Sequence, residues 1–300
     1  MAALRAFGAR HSKAIAITGS VAVAGLLVLV LEGHREEFAE AFSSASLWVL
    51  LLATLLQIVA LLARTEAWHV SIEAAGGTVR RRLLYRASSL GYVGSLLNAQ
   101  FGTAARIAAL RRSSPTESPG VSVLVAAELP IMAVEAMFGA LTSFTLIGPL
   151  GLPWWSPIVA LVVVGLLGTW LRHVAQRTTR KLWAGLLVLR SASGGGRLVF
   201  FVSVAIAAQV TRNWALLQGV GVDASIFDAT AVLIAMSTIA QLPVGPSVGA
   251  AAAVLILGRE GIAAVAAAGV LSTVTGIVGG LTFALWAGAD GLLHRRRARR

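Results

Sequence analysis

What most constrains this chain is a series of apolar runs, about 15 to 29 residues long, separated by short clusters of arginine. A helix crosses the roughly 30 Å hydrocarbon core of a bilayer with about 20 apolar residues, so runs of this length read as membrane spans. Six emerge, at approximately 14–32, 47–66, 120–148, 157–171, 198–218 and 262–289. A chain that is 57% hydrophobic and 13% charged is not an ordinary soluble domain. The net charge of +12 would suit a nucleic-acid binder, but the basic residues fall between apolar runs, where topology signals lie. Nucleic acid is therefore not an expected partner. The chain has no cysteine, which excludes disulfides, thiolate metal sites and thiol catalysis. The first run follows Arg5, Arg10 and Lys13 like a signal peptide, yet it is too long and lacks a small-residue cleavage pattern before Glu32, so it reads as a retained anchor.

Two further apolar stretches break in the middle. Residues 83–112 are interrupted at Asn98, Gln100 and Gly102, and residues 228–257 at Pro243, Gly245, Pro246 and Gly249. The arms on either side are too short to span comfortably, so each stretch reads as a re-entrant helical hairpin or as one kinked span. Charge separates the two readings. With a cytoplasmic N-terminus, six spans and two hairpins, the cytoplasmic segments are the N-terminus, the loops near 64–86, 111–119 and 172–197, and the basic tail 294–300; they hold 21 of the 25 basic residues. The outward loops hold Arg35 and Arg259 among seven acidic residues. Letting both stretches span would turn only 111–119 outward, so the distribution favours paired hairpins without excluding the alternative. The expected fold is one all-α integral membrane domain over 1–300, with six transmembrane helices and two oppositely oriented re-entrant hairpins. Their broken tips would meet near the midplane, lining a cavity.

The second arm of each hairpin would begin at its tip, after Gly102 and Gly249, aiming a helix N-terminus at the centre; such ends attract anions. Near them lie the ionisable residues placed inside the bilayer: Arg106, Glu128, Glu135 and Arg212. Intramembrane charges are costly and mark function or tight pairing. Glu128 and Glu135 are two turns apart on one helix face, with Pro130 between them. Gln209 and Asn213 give the Arg212 helix a polar stripe. Arg106–Glu128 and Arg212–Glu135 would be buried ion pairs that fix packing; alternatively the arginines receive a lipid phosphate, which the planar guanidinium suits, and the glutamates couple or balance charge. In the second reading Asn98, Gly102, Arg106, Arg212, Pro243, Gly245, Ser247 and Gly249 contact the substrate.

Other signals carry less. Gly245-Pro246-Ser247-Val248-Gly249 matches a nucleophile-elbow pattern, but no membrane-embedded histidine follows and the expected context is a tight bend. The five histidines lack metal-ligand spacing, so neither a metal nor any other cofactor is expected. Gly276 and Gly280 form a G-x-x-x-G packing face. Trp68, Trp154, Trp155 and Trp170 would be interface anchors, and the segments 33–46 and 180–190 short interfacial helices.

At these residues the chain resembles the transmembrane, flippase-like region of lysylphosphatidylglycerol synthases and its stand-alone relatives. One resembling block runs from Trp68 through Gly76 and Arg80–Arg82 to Asn98, Gly102, Arg106 and Leu110; the other runs from Arg212 through Gly221 to Leu242-Pro243-Val244-Gly245-Pro246-Ser247-Val248-Gly249 and Gly261. The resemblance implies a lipid-translocating domain with two re-entrant elements. Two departures stand out: Thr103 and Ala252 occupy positions where the family pattern has acidic residues, which favours an anionic over a cationic headgroup. The expectation is a multi-pass protein of the bacterial inner (cytoplasmic) membrane, both termini cytoplasmic. It would bind or flip an anionic phospholipid or polyprenyl-linked lipid and would not be an enzyme. The alternative is a non-transporting scaffold for an envelope-biosynthesis enzyme. The topology is checked by single cysteines in this cysteine-free chain: one at Ser113 should be shielded from an impermeant thiol reagent applied outside, and one at Ser44 should react. Outside labelling at Ser113 would make 83–112 a span.

Overall fold

The computed structural model describes residues 32–95, 99–113, 119–177, 191–240 and 248–298, with isolated positions at 25, 29, 186, 188 and 189. Among these residues every regular element is a helix. A short helix α1 (Arg35–Ser44) precedes α2 (Leu47–Ala74), α3 (Arg81–Ser95), α4 (Ala99–Ser113), α5 (Val121–Ala126) and α6 (Glu128–Thr142). Then follow α7 (Ile147–Leu150), α8 (Ser156–Arg177), α9 (Ala192–Gly219), α10 (Ile226–Ile239), α11 (Val248–Leu257) and the long α12 (Ile262–Ala298). Four helical stretches, 47–74, 121–150, 193–219 and 262–289, are long and apolar enough to cross a bilayer, which makes the chain a multi-pass membrane protein. The expected span 157–171 falls on α8, whose apolar portion is shorter, and the expected span 14–32 lies almost wholly outside the described residues. Leu47, Trp48, Leu51, Leu52 and Leu55 form an exposed stripe along α2, as a lipid-facing helix should.

Both interrupted stretches are pairs of short helices, α3 with α4 and α10 with α11, each pair packed together. In the first pair the arms run antiparallel and touch through small residues. A Cβ on Gly91 would come within 2.8 Å of the Arg106 Cβ, and one on Gly102 within 2.7 Å of the Ser95 Cβ. Bulk at either glycine would force the arms apart. The start of α10 is set by a capping box: the Ser225 hydroxyl accepts from the Asp228 N–H while the Asp228 carboxylate accepts from the Ser225 N–H at 2.8 Å. Pro130 sits one turn into α6, just past the single-residue turn at Ala127 that separates α5 from α6, because proline removes the donor that would continue the ladder there.

The buried side chains form two apolar cores. One joins the α10–α11 pair to the C-terminal part of α9 and the first half of α12; Ala229, Ala252 and Val265 are fully buried there. The other joins the α3–α4 pair to the C-terminal half of α2, α5, α6 and the start of α9, around Trp68, Ile72, Leu124 and Leu198. Helices α2 and α9 lie antiparallel and run through both cores, as the contacts of Gly219 with Val49 and of Arg212 with Gln57 show. α12 carries one helix pair on each half. A Cβ on Gly249 would come within 2.7 Å of the Gly269 carbonyl oxygen, so α11 crosses α12 backbone to backbone, and the Tyr92 ring of α3 lies directly against Gly280. The G-x-x-x-G pair therefore packs within the chain.

Two expectations change. Residues 64–74 are not a loop but the last three turns of α2, and they hold the most buried stretch of that helix, from Ala67 to Ile72. Trp68 is consequently a core residue with no exposure, whereas Trp154, Trp155 and Trp170 are exposed as interface anchors would be. The charges at Arg64 and Glu66 made this stretch look like a span end; each is in fact met by an opposite charge from another helix.

Candidate functional site

Between the two cores runs a polar layer, built where α2, α9 and α12 meet and centred on Arg212. The whole residue is only 4% exposed. Nη1 donates to the Gln57 side-chain oxygen at 2.7 Å and to that of Gln209 at 2.9 Å. Nη2 donates to the Ser272 carbonyl and to the Thr275 hydroxyl, the latter at 3.3 Å. The Gln209 amide in turn donates to Gln57 at 3.0 Å, which fixes the orientation of both amides. Gly276 makes room on α12: a Cβ there would lie 3.1 Å from Arg212 Nη2 and 3.2 Å from the Tyr92 hydroxyl. Tyr92 thus brings the first helix pair to the guanidinium.

Every partner of Arg212 among the described residues is neutral. Among the described residues no carboxylate reaches it, and its Nε is buried with no hydrogen-bond partner. Neutral acceptors spread a positive charge without cancelling it, so the ion retains a desolvation cost of several kcal/mol that an anion would offset. Next to it, Asn213 accepts from the Ser272 hydroxyl at 3.3 Å and donates to the Met236 sulfur at 3.7 Å. Asn213, Ser272, Met236 and Gly249 line a cavity of about 10 Å³, room for roughly one water. The space is small, and Leu216, Leu217, Val232, Ala253 and Ala268 make the rest of its lining apolar.

The other intramembrane charges are arranged differently. Arg106 donates to Glu128 in a pair whose side chains are 11% and 12% exposed, and its guanidinium stacks 3.9 Å above the Trp68 ring. The second arm of the first helix pair is thereby tied to both α6 and α2. Glu135 pairs with Arg64 of α2 and not with Arg212. Glu66 accepts from the Tyr85 hydroxyl and lies 3.6 Å from Arg81.

Of the expected site residues, Arg212 and Gly249 lie on either side of Asn213 and Ser272, while Arg106, Glu128 and Glu135 lie together in the other core. Gly102 falls one turn inside α4, which begins at Ala99, and serves the crossing with Gly91 and Ser95. Asn98, Pro243, Gly245 and Ser247 lie outside the described residues, and with them the meeting of the tips. The reading of the sequence passed over Gln57, Arg64, Tyr92, Ser272 and Thr275. Gln57 was visible as the single amide in the apolar run 47–63; the hydroxyls carried no signal, because Ser and Thr sit in spanning helices without cost by bonding back to the preceding turn, as Thr275 does to Leu271.

Over residues 14–286 the chain matches the family model of the lysylphosphatidylglycerol synthase TM region. The chain belongs to that family. No curated protein and no solved structure matches it. Membership ties this membrane domain to lipid. Ala252 is fully buried in an apolar cluster, where an unpaired carboxylate would be prohibitively desolvated.

The pairing predicts distinct stability effects. Arg106→Ala should cost about 3–5 kcal/mol by stranding Glu128, and Arg106→Ala with Glu128→Ala should recover most of it. Arg212→Ala strands no carboxylate, since Gln57 and Gln209 still bond each other, and should cost about 1–3 kcal/mol. Unfolding of the purified variants checks both.

Proposed function

We propose that this protein binds and translocates an anionic lipid or lipid-linked intermediate across the bacterial inner membrane, and that its role is transport, not catalysis. The observation that carries this reading is Arg212, a guanidinium buried between two apolar cores with only neutral partners among the described residues and an unused Nε. A phosphate is the ligand that such a group suits, because it supplies both the missing negative charge and acceptors in the plane of the fork. Gln57, Gln209, Asn213, Ser272 and Thr275 would hold the remaining headgroup oxygens.

The surrounding packing is tight, so a headgroup reaches Arg212 only when the helix pairs part from α12. The contacts suit such a motion. Gly249 crosses Gly269 backbone to backbone and the Tyr92 ring seats on Gly280, with no salt bridge among the described residues holding either pair to α12 at those points. Opening one helix pair at a time would expose the layer to one side of the membrane and then the other, as expected for two oppositely oriented hairpins around a fixed site.

The tight packing is also what a non-transporting scaffold for an envelope enzyme would have. That reading leaves Arg212 unexplained, since a scaffold gains nothing from a buried cation that a leucine would not provide more cheaply. Mass spectrometry of lipids copurified with the native protein distinguishes the two. The proposal expects an anionic lipid in near-stoichiometric amount that is lost from Arg212→Ala and only partly retained by Arg212→Lys, with both variants folded. The same lipids in all three preparations would favour the scaffold.

A further inference from the structure

On α2 the exposed stripe Leu47, Leu51 and Leu55 marks the side turned to lipid. Arg64 lies on the opposite side, in line with Ala53, Gln57, Ala60 and Trp68, all of them buried. Yet the Arg64 side chain is 46% exposed, against 11% for Arg106, which stacks on Trp68 one turn further along. From Leu56 to Ile72 it is the one exposed residue of the helix. Its partner Glu135 accepts from both Nη1 and Nη2, stands near the middle of the apolar stretch 121–150 and is 30% exposed. One turn on from Glu135 there is more open space: a Cβ on Gly139 would meet no neighbouring atom within 4 Å.

Arg64 meets Glu135, and Trp68 approaches Glu128 through Arg106, so α2 and α6 run antiparallel. The opening at Gly139 is then level with Ala60, on the way to Gln57 and the Arg212 layer. In the other direction it closes on Trp68 and Ile131, which are fully buried. The space is internal, and acyl chains would fill it poorly. Bidentate pairing uses fewer than half of the guanidinium N–H groups and leaves carboxylate lone pairs over, and among the described residues neither side chain has another hydrogen-bond partner. Bare charged groups at this depth are tolerable where water reaches them.

We propose that a water-filled crevice enters the protein between α2 and α6 as far as Arg64 and Glu135, and that it is the wet vestibule in which a charged lipid headgroup waits before the helix pairs part. The crevice rests on the exposure of an inward-facing ion pair; its use by a headgroup rests on the reading above. A vestibule of this kind spares the headgroup most of its desolvation until Arg212 can receive it. The bound pair Arg64–Glu135 keeps the wall polar and, having no net charge, holds neither anions nor cations back.

The test labels single cysteines in this cysteine-free chain, reconstituted in phosphatidylcholine vesicles, with methanethiosulfonate ethyltrimethylammonium, a permanently charged reagent supplied to both faces of the membrane. Gly139→Cys should react at least roughly tenfold faster than Met137→Cys, on the opposite face of α6 at nearly the same depth, because a thiol ionises in water and not against acyl chains. Arg64→Cys joined to Glu135→Gln strands no charge and should also react fast, which covers the case that a side chain at Gly139 disturbs the packing. Labelling of both variants no faster than that of Met137→Cys would overturn the crevice. Dihexanoyl phosphatidylglycerol should slow the labelling of Gly139→Cys even though its charge gathers the cationic reagent, and dihexanoyl phosphatidylcholine should not; no slowing would overturn the vestibule role. The labelling without added lipid requires nothing to bind at Arg212, so this crevice and the central site fail separately.

Discussion

The structure depends on how one guanidinium is kept between two apolar cores. Arg212 sits where α2, α9 and α12 come closest, and each helix gives up part of its apolar face to it: Gln57 from α2, Gln209 from its own helix, the Ser272 carbonyl and Thr275 from α12. A carbonyl that serves a helix hydrogen bond has a second lone pair to offer, so Ser272 satisfies Arg212 without breaking α12. Tyr92 and Gly276 close the remaining sides. All these groups are neutral. The arrangement orients the cation firmly while leaving its charge uncancelled, as the proposed anion-binding role requires.

From that constraint the division of labour among the charges follows. Arg106 has its carboxylate and an aromatic ring beneath it, and it anchors the second arm of the first helix pair. Arg64 has a carboxylate too, that of Glu135, in a pair far more exposed than Arg106 and Glu128. The glycine crossings do the opposite job. Gly249 on Gly269 and Gly280 under Tyr92 bring backbones and rings together by shape, with contacts that can slide. The first helix pair is tethered to α2 and α6 by charge and meets α12 by shape, the combination that the proposed hinge or shear motion requires.

Much of the architecture was legible in the sequence because membrane spans are written in long runs and their breaks in proline, glycine and amides. Each of the stretches 83–112 and 228–257 holds two helices, α3 with α4 and α10 with α11, although Gln100 and Gly102 of the expected first break lie inside α4. Arg106 with Glu128 and Arg212 with Gln209 were also readable, from charge placed in apolar surroundings and from helical spacing. The partner of Glu135 was not. Arg64 lies at the end of an apolar run followed by Thr65 and Glu66, and hydropathy cannot tell a span that ends there from one that continues for ten residues with each charge matched from another helix. For the same reason Trp68 looked like an interface anchor: a tryptophan among charges reads as a boundary until Arg106 is found stacked on it.

The central claim is that Arg212 is held for an anion. A structure of the protein solved in a bilayer containing phosphatidylglycerol tests it most directly, at a resolution that shows the guanidinium and its neighbours. The account predicts a phosphate oxygen about 3 Å from Arg212 Nε, with Tyr92 displaced from Gly280 to admit the headgroup. Lipid confined to the outer faces of the helices, with Arg212 enclosed by the same neutral side chains and no anion beside it, would contradict it.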